Sequence, residues 1–127
     1  MDISFPSGLA VEARLDDFVI RTDQPATDGG GGSAPSPFSL FLASIGTCAG
    51  FYALRFCRER NIDTADMRLR MDWERDEAGH RLDRVVLKLT LPPGFPDKYR
   101  KAVVKAMDQC AVKRTLFDPP EFVVDAE

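Results

Sequence analysis

Ser33-Ala-Pro-Ser-Pro-Phe-Ser-Leu-Phe-Leu-Ala-Ser-Ile-Gly-Thr-Cys48-Ala-Gly-Phe-Tyr-Ala-Leu54 carries no charged residue, and the reading of the whole chain turns on it. Ser36-Pro37 has the form of a helix start, a capping hydroxyl followed by proline at the first helical position. The helix is predicted to run to about Arg60, with Asn61 as its C-cap. Its N-terminal two-thirds is apolar or small on every face, the mark of a helix buried all round. Ala43, Ser44, Gly46, Thr47, Ala49 and Gly50 would let another backbone come close. So much apolar helix is hard to bury in a small domain, which points to a second subunit as cover. The uncharged run from Gly29 to Leu54 is also long enough to span a bilayer. Its four leading glycines, Pro35, Pro37 and several hydroxyl residues argue instead for a buried central helix and no membrane contact.

On the N-terminal side, residues 9–15 alternate apolar and polar, as a strand does. Asp16-Asp17 supplies a turn, and residues 18–22 read as the returning strand. Residues 23–36 form a loop, and Gly29 to Gly32 within it read as a flexible linker. That run lacks the Lys-Ser/Thr of a phosphate-binding loop and the spacing of a dinucleotide fingerprint. On the C-terminal side, residues 67–74 and 82–91 are predicted as paired strands around a turn at 76–80. A second helix is predicted from Asp97 to about Cys110, with Tyr99, Val103, Met107 and Cys110 on one face. Glu121 to Asp125 reads as a short final strand. The order β-β-α-β-β-α-β defines an α+β domain, and residues 1–127 are expected to form one such domain.

Bulk properties narrow the function classes. An apolar share of 44% and a charged share of 29% are ordinary for a soluble globular chain. A net charge of −3 argues against a nucleic-acid surface. The basic groups at Arg55, Arg58 and Arg60, and at Lys98, Arg100, Lys101 and Lys105, read as solvated helix faces. Met1-Asp-Ile-Ser-Phe-Pro does not have the form of a secretion signal, and three widely spaced cysteines do not make a disulfide framework. Both features point to the reducing cytoplasm, where a cysteine pair is more often reactive than structural.

The residues that could carry chemistry are therefore Cys48 and Cys110. A thiolate can be oxidised to a sulfenic acid, which a second cysteine condenses with to give a disulfide. Arg114, just beyond Cys110, is the nearest cation in sequence that could stabilise a thiolate. The competing reading is that all three cysteines are small core residues. Cys57 follows Cys48 by nine residues, about 180° around a helix of 3.6 residues per turn, and is assigned to packing. His80 lies in a predicted turn among charged neighbours. The cysteines and this histidine lack the paired spacing of a zinc site.

Together, the segment from Ser33 to Cys48 and the segment Cys110-Ala-Val-Lys-Arg-Thr-Leu116 resemble the OsmC/Ohr family, the osmotically inducible and organic hydroperoxide resistance proteins. The second segment is usually written Cys-Pro-Val-Ser-Arg-Thr-Leu in that family. The resemblance implies an intertwined homodimer, with antiparallel sheets wrapped around the long central helices and active sites at the subunit interface. It implies reduction of organic or inorganic hydroperoxides at the expense of a thiol reductant, with no metal or organic cofactor. By position Cys48 would be the peroxidatic and Cys110 the resolving cysteine. Family members carry a glutamate in the first turn of the long helix, where this chain has Phe38 and Ser39. Ser39 can offer a hydrogen bond and is kept, with Arg114, as a supporting candidate. The family's arginine near the N-terminal hairpin has Arg14 and Arg21 as candidates here, neither on a matching motif. The alternative is a non-enzymatic protein of the same fold that binds an apolar small molecule in the dimer-interface cleft.

Overall fold

The computed structural model describes residues 1–126 and shows an α+β fold of antiparallel sheets and one long helix. The residues group into two compact units, Met1–Ala43 and Ser44–Glu127.

In the first unit, β1 (Asp2–Ser4), β2 (Val11–Leu15) and β3 (Phe18–Thr22) form an antiparallel sheet in the order β1-β2-β3. Leu15 pairs with Phe18 across the two-residue turn at Asp16-Asp17, and Asp16 takes the left-handed φ of 50° that such a turn requires. The expected hairpin is therefore present. β1 is an addition: three residues are too few to display alternation, and its pairing of Asp2 with Arg14 depends on β2 being in place.

The loop after β3 is not a flexible linker. The buried carboxylate of Asp23 accepts hydrogen bonds from the Gln24 N–H (2.8 Å), the Ser33 N–H (3.0 Å) and the Ser33 hydroxyl (2.8 Å). These bonds tie one end of the loop to the other, and the Gly32 N–H closes it further onto the Gln24 carbonyl at 3.0 Å. Gly30 is required for this packing. A Cβ there would lie 1.9 Å from the Gln24 carbonyl oxygen, a backbone atom that cannot swing aside. Ser36 then caps the helix that follows, accepting from the Ser39 N–H at 3.2 Å.

That helix, α1 (Pro37–Arg58), starts in the first unit and ends in the second. Leu42, Ile45, Ala49, Ala53 and Phe56 are buried at the three- and four-residue spacing of a single face. Within one chain the burial does not extend to every face: Phe51 remains 53% exposed and Thr47 is exposed too. One chain supplies enough structure to cover one side of α1. The helix closes as expected at Asn61, whose φ is 53°, with the Ile62 N–H reaching back to the Cys57 carbonyl at 3.0 Å. By length and composition α1 could cross a membrane; its buried face is part of a protein core.

In the second unit, β4 (Arg68–Arg75) and β5 (Leu82–Thr90) form a two-stranded antiparallel sheet. Asp76 shapes their turn by accepting from the His80 and Arg81 N–H groups at 2.9 and 3.1 Å. Gly50 of α1 faces this sheet, where an added Cβ would stand 3.4 Å from Leu69 Cδ2. Ala49, Ala53, Phe56 and Cys57 share one core with Phe95, Val103 and Met107. Cys57 is fully buried, its sulfur 3.9 Å from that of Met67, in the packing role expected of it.

The C-terminal third differs from expectation in two ways. The predicted helix to Cys110 is a 3-10 turn (Asp97–Tyr99) and α2 (Arg100–Met107); the chain then breaks and restarts as α3 (Ala111–Phe117). Cys110 is the residue before α3, with ψ 117°, so its backbone has left the helical region. The predicted strand at residues 121–125 is absent: Phe122, Val123 and Val124 are 83%, 83% and 94% exposed, with no ladder partner among the described residues. Strand residues form a strand only when a second strand takes up their backbone groups.

Two outcomes are expected of the Asp23 loop. Gly30→Ala should lower the unfolding free energy by about 2 kcal/mol, the range for forcing atoms into a filled site, as read from chemical denaturation. Hydrogen bonds, led by those from Ser33, hold the Asp23 carboxyl below the ordinary carboxylate range. Its ionised form thus adds stability near neutral pH, and that contribution is lost as pH falls through the folded-state pKa. Asp23→Asn should therefore lower stability at pH 7 and flatten the acid limb of a stability-versus-pH curve. A variant that matches the wild type at both pH extremes would exclude this role.

Candidate functional site

Cys48 and Cys110 come together in the second unit. Cys48 is partly exposed, one helical turn beyond the buried Ile45 on α1, and Cys110 is fully buried. The break between α2 and α3 creates this meeting. It turns Cys110 inward and directs the first backbone N–H groups of α3 at the Cys48 sulfur.

The surroundings of Cys48 favour its thiolate. The Val112 N–H lowers its pKa most, aided by the Cys110 thiol, the Ala111 N–H and the charge of Arg114, while partial burial works against them. Cys110 is pushed the other way. Burial raises its pKa foremost, and donating its S–H to Cys48 raises it further. The pair is thus unequal: a partly exposed sulfur whose thiolate is favoured and a buried one whose thiolate is disfavoured. Cys57 is also raised, by burial, and has no such donors. All three cysteines are thiols.

Of the supporting candidates, the charge of Arg114 is the last and smallest of the influences that lower the Cys48 pKa. The Ser39 hydroxyl lies 3.0 Å from that of Ser36 and belongs to the helix cap of the first unit. Arg21 pairs with Glu12 at 3.6 Å across the hairpin. Sequence reasoning missed the two backbone donors. The signal was nevertheless there: Ala111 occupies the position where the family motif has proline, which has no N–H to give.

A cavity of about 430 Å³ in the second unit is lined by Ile45, Leu82, Val85, Leu87, Lys113, Leu116 and Phe117, of which Ile45 and Lys113 lie three residues from Cys48 and Cys110 in sequence. Every lining side chain but Lys113 is apolar. Lys113 also donates to Asp108 Oδ1 at 2.8 Å.

Comparisons with known proteins agree with this architecture. The chain is similar to the crystal structure of an osmotic stress induced and detoxification response protein from Psychrobacter arcticus 273-4. The identity is 22% and the TM-score 0.76, over 90% of this chain and 85% of that one. A structural genomics structure gives 19% identity and a TM-score of 0.77 over 93% and 88%. An organic hydroperoxide resistance protein OsmC from Legionella pneumophila is 17% identical with a TM-score of 0.49 over 89% and 90%. No curated protein gives a match. The family model for OsmC-like proteins matches residues 30–125, a span that includes both cysteines and all of α1, and the chain belongs to the OsmC-like family.

Proposed function

We propose that this protein is a thiol-dependent peroxidase that reduces hydroperoxides through Cys48 and Cys110. The observation that carries the reading is the unequal pair: Cys48 accepts hydrogen bonds from Val112, Ala111 and Cys110 and is the more accessible of the two. The Cys48 thiolate attacks the outer peroxide oxygen. An S–O bond forms, the O–O bond breaks, and the departing alkoxide takes a proton to become an alcohol. Cys48 is left as a sulfenic acid. The Cys110 sulfur then attacks the Cys48 sulfur, forming the disulfide and releasing the hydroxyl, with the Cys110 proton, as water. A dithiol reductant returns two electrons and two protons to restore both thiols.

The working form on this reading is a cytoplasmic homodimer. The observations behind the dimer are apolar surfaces one chain leaves open: Phe18 on the N-terminal sheet, Phe51 on α1 and Phe122 to Val124 at the C-terminal end. Large exposed apolar side chains in such numbers support an association role for these surfaces. Strand-forming residues 121–125 would gain the ladder partner they lack.

A second reading, ligand binding without turnover, is favoured by the cavity of about 430 Å³, a size typical of small-molecule sites. Peroxide treatment separates the two, because a binding protein would leave Cys48 unoxidised.

Recombinant protein should consume cumene hydroperoxide with a dithiol reductant, and Cys48→Ser should abolish consumption. Lack of turnover by the wild type across several reductants would sink the peroxidase reading. Because its pKa is lowered, Cys48 should alkylate rapidly at pH values below about 8.5, the reference for an unperturbed thiol. Cys110→Ala removes a donor, so it should move that profile to higher pH and leave a Cys48 sulfenic acid that dimedone traps. Light scattering should give twice the monomer mass, and Val123→Asp should shift the population toward monomer; a monomeric wild type would refute the dimer.

A further inference from the structure

The start of α3 is weakly held by its own structure. The helix has seven residues, none of them buried, and its N-cap residue Cys110 makes no side-chain capping bond. A helix this short has little stability of its own and opens at low cost. Yet its first N–H groups, at Ala111 and Val112, are donors to the Cys48 sulfur. Their aim depends on what fixes α3 to the chain before it. Asp108 is the C-cap of α2 and Lys113 the third residue of α3, and Lys113 Nζ donates to Asp108 Oδ1 at 2.8 Å. The bond spans the corner at which Cys110 leaves the helical region, with ψ 117°. Both residues also line a small cavity of about 190 Å³ with Leu87, Leu89, Val104 and Met107. The Lys113 side chain is 21% exposed and that of Asp108 67%, so the cation is sheltered while the carboxylate stays at the rim.

We propose that Lys113 and Asp108 are positioning residues: their ion pair braces the corner between α2 and α3 and keeps the Ala111 and Val112 N–H groups aimed at the Cys48 sulfur. The two side chains act through α3. The titratable and charged groups that act on Cys48 directly are Cys110, which precedes α3, and Arg114 within it. The Lys113 backbone N–H is in turn a donor to Cys110, which ties the braced corner to the second sulfur as well. The consequence for turnover, slower attack on peroxide once the brace is cut, rests on the peroxidase reading; the brace in the reduced protein does not.

Hydrogen exchange at the Val112 amide and the pH profile of Cys48 alkylation, both on the reduced full-length protein, test the brace. Asp108→Ala and Lys113→Met should each speed exchange at Val112 about threefold, the effect of a surface ion pair on local opening. Lys113→Arg keeps a cation that reaches Asp108 and should hold the wild-type rate. The pH profile separates bracing from charge alone. Removing the Asp108 carboxylate takes away a negative charge, which by itself favours a nearby thiolate and moves the profile to lower pH. Cutting the brace withdraws donors and moves it the other way, so Asp108→Ala should shift the profile to higher pH. A shift to lower pH or none in Asp108→Ala, unchanged exchange at Val112 in either variant, or Lys113→Arg behaving as Lys113→Met would each overturn the proposal. Neither measurement contains peroxide, so their failure leaves the peroxidase reading untouched, and a wild type without turnover leaves the brace untouched.

Discussion

Ala49, Ala53, Phe56 and Cys57 of α1 share one core with Val103 and Met107 of α2, and the position of the site follows from that core. The two alanines add little buried area of their own, but they let the larger side chains interlock. Phe56 and Met107 each contribute about 1.5–3 kcal/mol through burial of their side chains. Cys48 immediately precedes Ala49 in α1, and Cys110 follows Met107 by a single turn of chain. Fixing Ala49 and Met107 in one core therefore brings the two cysteines together. The thiol pair depends on apolar packing for its geometry and on polar backbone for its chemistry.

Those two contributions separate the roles of the sulfurs. Burial penalises a charge, so full burial keeps Cys110 protonated. Cys48, partly exposed, pays less for charge and receives the Val112 and Ala111 N–H groups. Once Cys110 is neutral its S–H becomes a donor to Cys48, so the condition that disfavours one thiolate favours the other. On the proposed peroxidase reading an attacking sulfur must be reachable by peroxide, whereas a resolving sulfur need only reach Cys48, and the unequal exposure of the two supports that reading.

Much of the fold is visible in the sequence where a pattern is long enough to show a period. The Ser36 cap, the Asn61 left-handed end, the hairpin about Asp16 and the β4–β5 pair are all readable from their residues. What is not readable depends on distant partners. β1 has three residues and becomes a strand only against β2. α3 has seven residues, about two turns, too short to display amphipathic spacing distinct from α2. The exposed C-terminal residues show the reverse case, local strand character with no strand to pair against. At the site, both cysteines and Arg114 are legible as side chains. The strongest influence on Cys48 comes from the backbone of Val112, and apart from the exchange of proline for Ala111 such a donor leaves no mark in the identity of its residue.

The departures from the family motif have a common physical logic. Where relatives have a charged glutamate in the first helical turn, this chain has Phe38 and Ser39, and Ser39 is used in the helix cap. At position 111, alanine stands in place of proline and makes one more N–H available beside the reactive sulfur. At position 113, lysine stands in place of serine and puts a cation in the lining of the apolar cavity. Backbone donors differ from an ion pair in one respect that matters for catalysis. They are held by α3 itself, so on the proposed peroxidase reading they need no reorganisation as charge moves from the sulfur to the peroxide oxygen. They are also insensitive to the protonation of any neighbouring carboxylate.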